Sequence, residues 1–225
     1  VEPLVRALVT WALEVCPAQS GAWLAARLEG TGSGQVADLF QLFSAAGRRL
    51  GSDSVGPAPA AVAQSALITA QWTREDLARV SGLVEWMESA EPQVRSATLE
   101  DLYFRGSGAE KRAVLLALPA LGEPERWLSL AVEACRTNSL DVLRAIACDN
   151  VYPALHFPEL HMNQMLLKVL FLGLNVEHVA GVAGRITPQL LIDLQQFRAE
   201  REAAGRGVPA GVDWLTNKAK ENETV

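Results

Sequence analysis

At 225 residues and 49% hydrophobic side chains, the chain carries enough apolar surface for a sizeable core, which argues against an intrinsically disordered class. A net charge of −6 and a pI near 5.2, with no dense run of Lys or Arg, lack the basic footprint of a nucleic-acid binder. Cys16, Cys135 and Cys148 form no CxxC pair, which argues against a disulfide framework and fits reduced thiols in a cytoplasmic protein.

Apolar residues recur at helical spacing almost throughout, with no alternating stretch bounded by hairpin turns, so the expected class is all-α. Leu4, Leu8, Trp11 and Val15 stripe a first helix that Pro17 ends, and its Glu2 and Arg6 read as an amphipathic surface rather than as a signal peptide. A second helix is expected from about Gln19 to Leu28 and a third from Gln35 to Ala46, followed by a Gly/Ser/Pro-rich surface loop from Gly47 to Pro59. A short helix near Ala60 to Ala70 precedes a capping box, Thr73 with Asp76, that opens a helix to about Glu88.

The start signals then become regular. Glu91-Pro92 and Glu123-Pro124, which lie 32 residues apart (91 to 123), each begin a helix, while Ser107 with Glu110 and Asn138 or Ser139 cap the ones between and after. Two helices per interval suggest HEAT-like stacked pairs over 59–148. Pro158 opens a further helix through about Leu172, Asn175 caps a short one to Ala180, and Thr187-Pro188 starts a last long helix ending near Ala204-Gly205. The run Met165 to Leu174 is the longest apolar stretch and is far short of the roughly 20 residues a membrane span needs.

The chemistry concentrates between Asp149 and Gly173. From Leu143 to Ile192 only six of fifty residues are charged, Arg144, Asp149, Glu159, Lys168, Glu177 and Arg185, so each is expected near buried surface, where an unpaired polar group costs about 1–3 kcal/mol. On a helical wheel of about 100° per residue, His161, Gln164 and Lys168 share one sector and Glu159 and Asn163 lie roughly opposite. Two readings follow. Lys168 and Gln164 point into a cleft that holds an anionic or carbonyl-bearing ligand while Glu159 and Asn163 tie down the preceding loop, or the polar stripe faces solvent or a neighbouring helix and sets register.

His156 and His161 with Glu159 have the donor types of a zinc site, but Pro158 separates the two histidines and breaks the favoured i, i+4 spacing. No metal and no cofactor is expected. On the last long helix Leu190, Leu194, Phe197 and Arg201 share one side, so the Arg201 guanidinium either meets a ligand or complements the helix C-terminus.

These residues resemble the EboA family. Tyr152, Pro153, Ala154, His156, Phe157, Pro158 and Glu159, then Asn163, Gln164, Met165 and Lys168, are similar to the family's C-terminal pattern, and the specific likeness covers about 148–209. Val151 and Met162 depart from it while keeping loop and apolar character, and the remaining family positions fall on Gly173, Arg185, Arg201, Gly205 and Arg206. The resemblance implies a protein encoded beside a prenyltransferase of the UbiA type, TIM-barrel proteins and a phosphatase-like protein, in an operon that makes or exports a small metabolite.

The expected organisation is a single helical domain over 1–212, made of N-terminal helices (1–47), helix pairs (59–148) and the signature region (149–209), with 213–225 as a frayed tail. The expected function is that of a cytoplasmic helical-repeat accessory protein, without nucleic acid or a membrane span. It binds a pathway protein or small metabolite through Tyr152, His156, Glu159, Asn163, Gln164, Lys168, Arg185 and Arg201. The alternative is an enzyme of the same pathway that uses Lys168 or His156 as acid, base or carbonyl-binding group. A deep closed pocket holding Lys168, His156 and Arg185 or Arg201 favours the enzyme, and a shallow groove favours the binding module.

Overall fold

A computed structural model describes residues 2–223, and all secondary structure among them is helical apart from one isolated bridge between Ser54 and Thr73. The class is all-α, as expected. The chain divides into two compact units, Val1–Leu130 and Ala131–Val225.

The first unit gathers around one helix, α5. Its members are α1 (Glu2–Glu14), α2 (Gly21–Gly32), α3 (Val36–Leu50), α4 (Ala60–Ala63), α5 (Arg74–Ser89), α6 (Pro92–Arg105), α7 (Gly108–Ala117) and the start of α8 (Pro124–Ala134). α1, α2, α3 and α7 all pack on α5, and α6 packs on α7. A helix ringed in this way does not establish the expected array of stacked HEAT-like pairs.

Both capping boxes read from the sequence are formed. Thr73 accepts from the Asp76 amide while the Asp76 carboxylate accepts from the Thr73 amide, and Ser107 and Glu110 do the same at α7. α4 is a single turn instead of a helix to Ala70, because the Ser65 hydroxyl donates to the Val62 carbonyl (2.6 Å) and accepts from the Leu67 amide (3.2 Å). That competing pair of bonds turns the chain out of the helix.

α5 is buried on nearly every side, including its polar residues Asp76, Arg79 and Ser81. Such groups are tolerated only when paired, and each of them is. Arg79 donates from Nε to the Phe43 carbonyl (2.9 Å) and from Nη1 to Glu75 (2.5 Å). The Ser81 hydroxyl lies 3.1 Å from the Leu8 carbonyl and 2.7 Å from that of Leu77. At Gly82 a Cβ would sit 2.2 Å from Leu42 Cδ2, so the missing side chain is what lets α3 approach this closely.

Glu85 is the exception on α5. Among the described residues its only hydrogen-bond partner is the Thr31 hydroxyl at 3.1 Å, and that hydroxyl also lies 2.8 Å from the Leu28 carbonyl. Burial raises the Glu85 carboxyl above its ordinary range, against the lowering effect of the Thr31 bond. A raised folded-state pKa means the site's contribution is complete below the unfolded value and is lost as pH climbs through the folded one. Glu85→Gln should therefore melt higher than the parent at about pH 8 and match it at about pH 4. Melting curves at the two pH values check this, and an equal gap at both would contradict it.

The second unit is built on α11. It contains α9 (Leu140–Ala147), α10 (Tyr152–His156), α11 (Glu159–Phe171), 3-10 turns at Val176–His178 and Val182–Arg185, α12 (Pro188–Ala203) and α13 (Ala210–Glu223). Met162, Met165, Leu166, Val169 and Leu170 form the core face of α11, which packs on α9 and α12. Gly173 at φ 75° ends the helix in the left-handed region. The helix expected from Asn175 to Ala180 is only the turn Val176–His178, capped by the Asn175 side chain.

Residues 213–223, expected to fray, are instead the body of α13, and residues 224 and 225 of that expected tail lie outside the described residues. Val212, Leu215 and Ala219 bury one face of α13. At Gly211 a Cβ would meet Leu170 Cδ2 at 2.6 Å and Val176 Cγ1 at 2.9 Å, so glycine there permits the helix to seat closely.

Candidate functional site

The turn between α10 and α11 and the outward sector of α11 build one side of a cleft, and the end of α8 with the residues after it builds the other. The cleft has a volume of about 330 Å³ and is lined by Val132, Cys135, Arg136, Phe157, His161, Gln164 and Lys168. The three polar α11 residues that share a sector on the wheel thus open into one space. Val132 and Phe157 supply its apolar surface.

Lys168 is half-buried and donates from Nζ to Asn138 Oδ1 at 2.7 Å, with its ammonium 6.0 Å from the centre of the Phe171 ring. Among the ion pairs of the described residues none involves Lys168. Its positive charge is therefore met by an uncharged amide and an aromatic face, and an ammonium has three donors to place. Arg136 is different, because Glu133 pairs with it at 2.8 Å.

His161 Nδ1 is buried without a hydrogen-bond partner. The ring belongs to an aromatic series, with Phe157 and His161 centroids 6.5 Å apart, Tyr152 and Phe157 6.3 Å apart, and Tyr152 and His156 4.8 Å apart. Tyr152 is fully buried, and of the series Phe157 and His161 line the cleft.

Of the eight residues expected to bind, Gln164 and Lys168 meet in the cleft. Tyr152 and His156 do not line it and lie on α10, which is a short helix where a loop is expected, with the Tyr152 ring against that of Phe157. Asn163 is buried on another side of α11, its Nδ2 donating to Thr187 Oγ1 at 3.4 Å and its Oδ1 left without a partner. Glu159 is exposed in the first turn of α11. Arg185 donates to the carbonyls of Ala154 and Phe157, both at 2.5 Å, and so fastens the end of α10. Arg201 donates to the Gly207 carbonyl at 2.6 Å and lies 5.7 Å from the Phe197 ring centre, bracing the turn between α12 and α13.

Val132, Cys135 and Arg136 are lining residues that sequence reasoning misses, since nothing in their spacing links them to α11. Cys135 is a poor nucleophile there. Burial pushes its thiol up to about 12, and burial with the Asp149 charge pushes Cys148 up to about 11 against the opposing Arg144. Among the described residues no three His, Cys, Asp or Glu side chains group as metal ligands, and no helix is long and apolar enough to cross a membrane.

A family model described as metabolite traffic protein EboA matches residues 4–216, far more of the chain than the stretch 148–209 that carries the specific likeness. No curated protein and no solved structure matches.

Proposed function

We propose that this chain, which belongs to the EboA family of metabolite traffic proteins, is an accessory protein of a small-metabolite pathway that holds its metabolite in the cleft beside α11. The observation that carries the reading is Lys168, a half-buried side chain that lines a cleft and whose ammonium has no carboxylate partner among the described residues. An open cleft that includes Lys168 but not His156, Arg185 or Arg201 supports binding over the enzymatic alternative, which calls for those groups beside the amine. Tyr152, His156, Asn163 and Arg185 act as supports of that cleft. Three free thiols support a reducing cytoplasmic setting.

Native mass spectrometry of the protein from cells running the pathway tests the reading. A bound small molecule is expected, and Lys168→Met should lower its occupancy about tenfold, the loss of one charge-assisted contact. Stability should stay within about 0.5 kcal/mol of the parent, because the abandoned Asn138 amide is exposed and turns to water. Pathway output unchanged in Lys168→Met cells would overturn the proposal. A protein captured in place of a small molecule would shift it to a partner-docking role.

A further inference from the structure

We propose that the cleft takes a small acidic amphiphile, a carboxylate or phosphate monoester on an apolar body, with its anion on Lys168; this rests on the binding reading above and names the ligand's class. Only one ammonium donor is accounted for, by the neutral Asn138 amide, so the charged end of this half-buried side chain has donors ready for an anion. Arg136, two residues before Asn138, lines the same cleft and has fork donors beyond the Nη1 that Glu133 engages.

The cleft is polarised along α11. His161 to Lys168 is a rise of seven residue steps, about 10 Å of helix, with the cation at one end and Phe157, just ahead of the helix, at the other. Leu160, in the first turn of α11 and three residues after Phe157, is 62% exposed, so an apolar side chain is open to solvent near the end of the helix away from Lys168. A volume of about 330 Å³ is near the lower limit of ligand pockets. It suits a small head and a short chain whose remainder lies against Leu160. A cationic ligand would meet Lys168 as a like charge, and a purely apolar one would leave the ammonium and the Gln164 amide unanswered.

Titration calorimetry on the full chain with octanoate, octyl phosphate, octylamine and octanol reads this directly. One or both acids should bind about tenfold or more tightly than the amine and the alcohol, and the order of the two acids identifies the headgroup. Lys168→Met should erase the preference. Should that variant fold poorly, Gln164→Glu changes only an exposed side chain and places a carboxylate in the cleft. It should weaken acid binding about tenfold and leave octylamine bound no less tightly. Amine or alcohol binding equal to the acids, no binding of any probe, or acid binding indifferent to Gln164→Glu would each overturn the proposal. A neutral or cationic molecule that co-purifies and is lost on cleft substitution would sink this inference alone and leave the binding reading standing.

Discussion

Asp76→Ala is expected to cost about 3–5 kcal/mol, the loss found when one partner of a buried ion pair is removed. Asp76 is 2% exposed and serves two structures at once. Its Oδ2 accepts from the Thr73 amide (3.0 Å) and hydroxyl (2.9 Å), and the Arg112 guanidinium donates to both oxygens at 3.1 and 3.2 Å. Alanine removes the cap of α5 and leaves Arg112 with the Gln71 carbonyl as its remaining contact. Asp76→Asn should lie between the two, since an amide oxygen can still cap but carries no charge. Urea denaturation measures both, and a loss under about 1 kcal/mol for alanine would show that the pair is replaceable by water.

The second large effect belongs to Arg185. Arg185→Met should destabilise by about 3 kcal/mol, because hydrogen bonds from a charged donor contribute about 1.5–3 kcal/mol each and two carbonyls lose theirs together. The turn around it is tightly fitted, with Gly181 at φ 68° and a Cβ there only 2.9 Å from the Ala154 methyl. α10 is five residues long, too short to hold itself, so its end depends on this clasp. Thermal melting separates this role from a ligand role. A variant that melts like the parent yet loses the co-purified molecule would make Arg185 a binding residue.

The contrast between these arginines and Lys168 shows where the sequence is readable. Thr73 with Asp76 and Ser107 with Glu110 are legible because a capping box is local, four residues that answer one another's amides. The sector of His161, Gln164 and Lys168 is legible because helical geometry alone decides it. Arg185 and Arg201 also read as groups in need of partners, and they have them, but the partners are main-chain carbonyls of residues 154, 157 and 207. Every residue offers such a carbonyl, so no side-chain pattern marks it. The opposite wall of the cleft, Val132 to Arg136, comes from a segment some twenty residues upstream of Phe157 and is positioned by tertiary packing. α13 did have a signal, Val212, Leu215 and Ala219 at helical spacing, outweighed by the expectation that chain ends fray.

The pairing of α5's polar groups reaches beyond stability. Arg79 answers a carbonyl of α3, and the Ser81 hydroxyl lies against one of α1, so sliding α5 by one turn would strand both donors while leaving a buried apolar surface behind. Oil-like contacts tolerate such a slip; these bonds do not. Amide protons at the centre of α5 should consequently exchange with solvent only when the whole first unit opens, which makes them reporters of its global unfolding, whereas the single turn of α4 opens on its own.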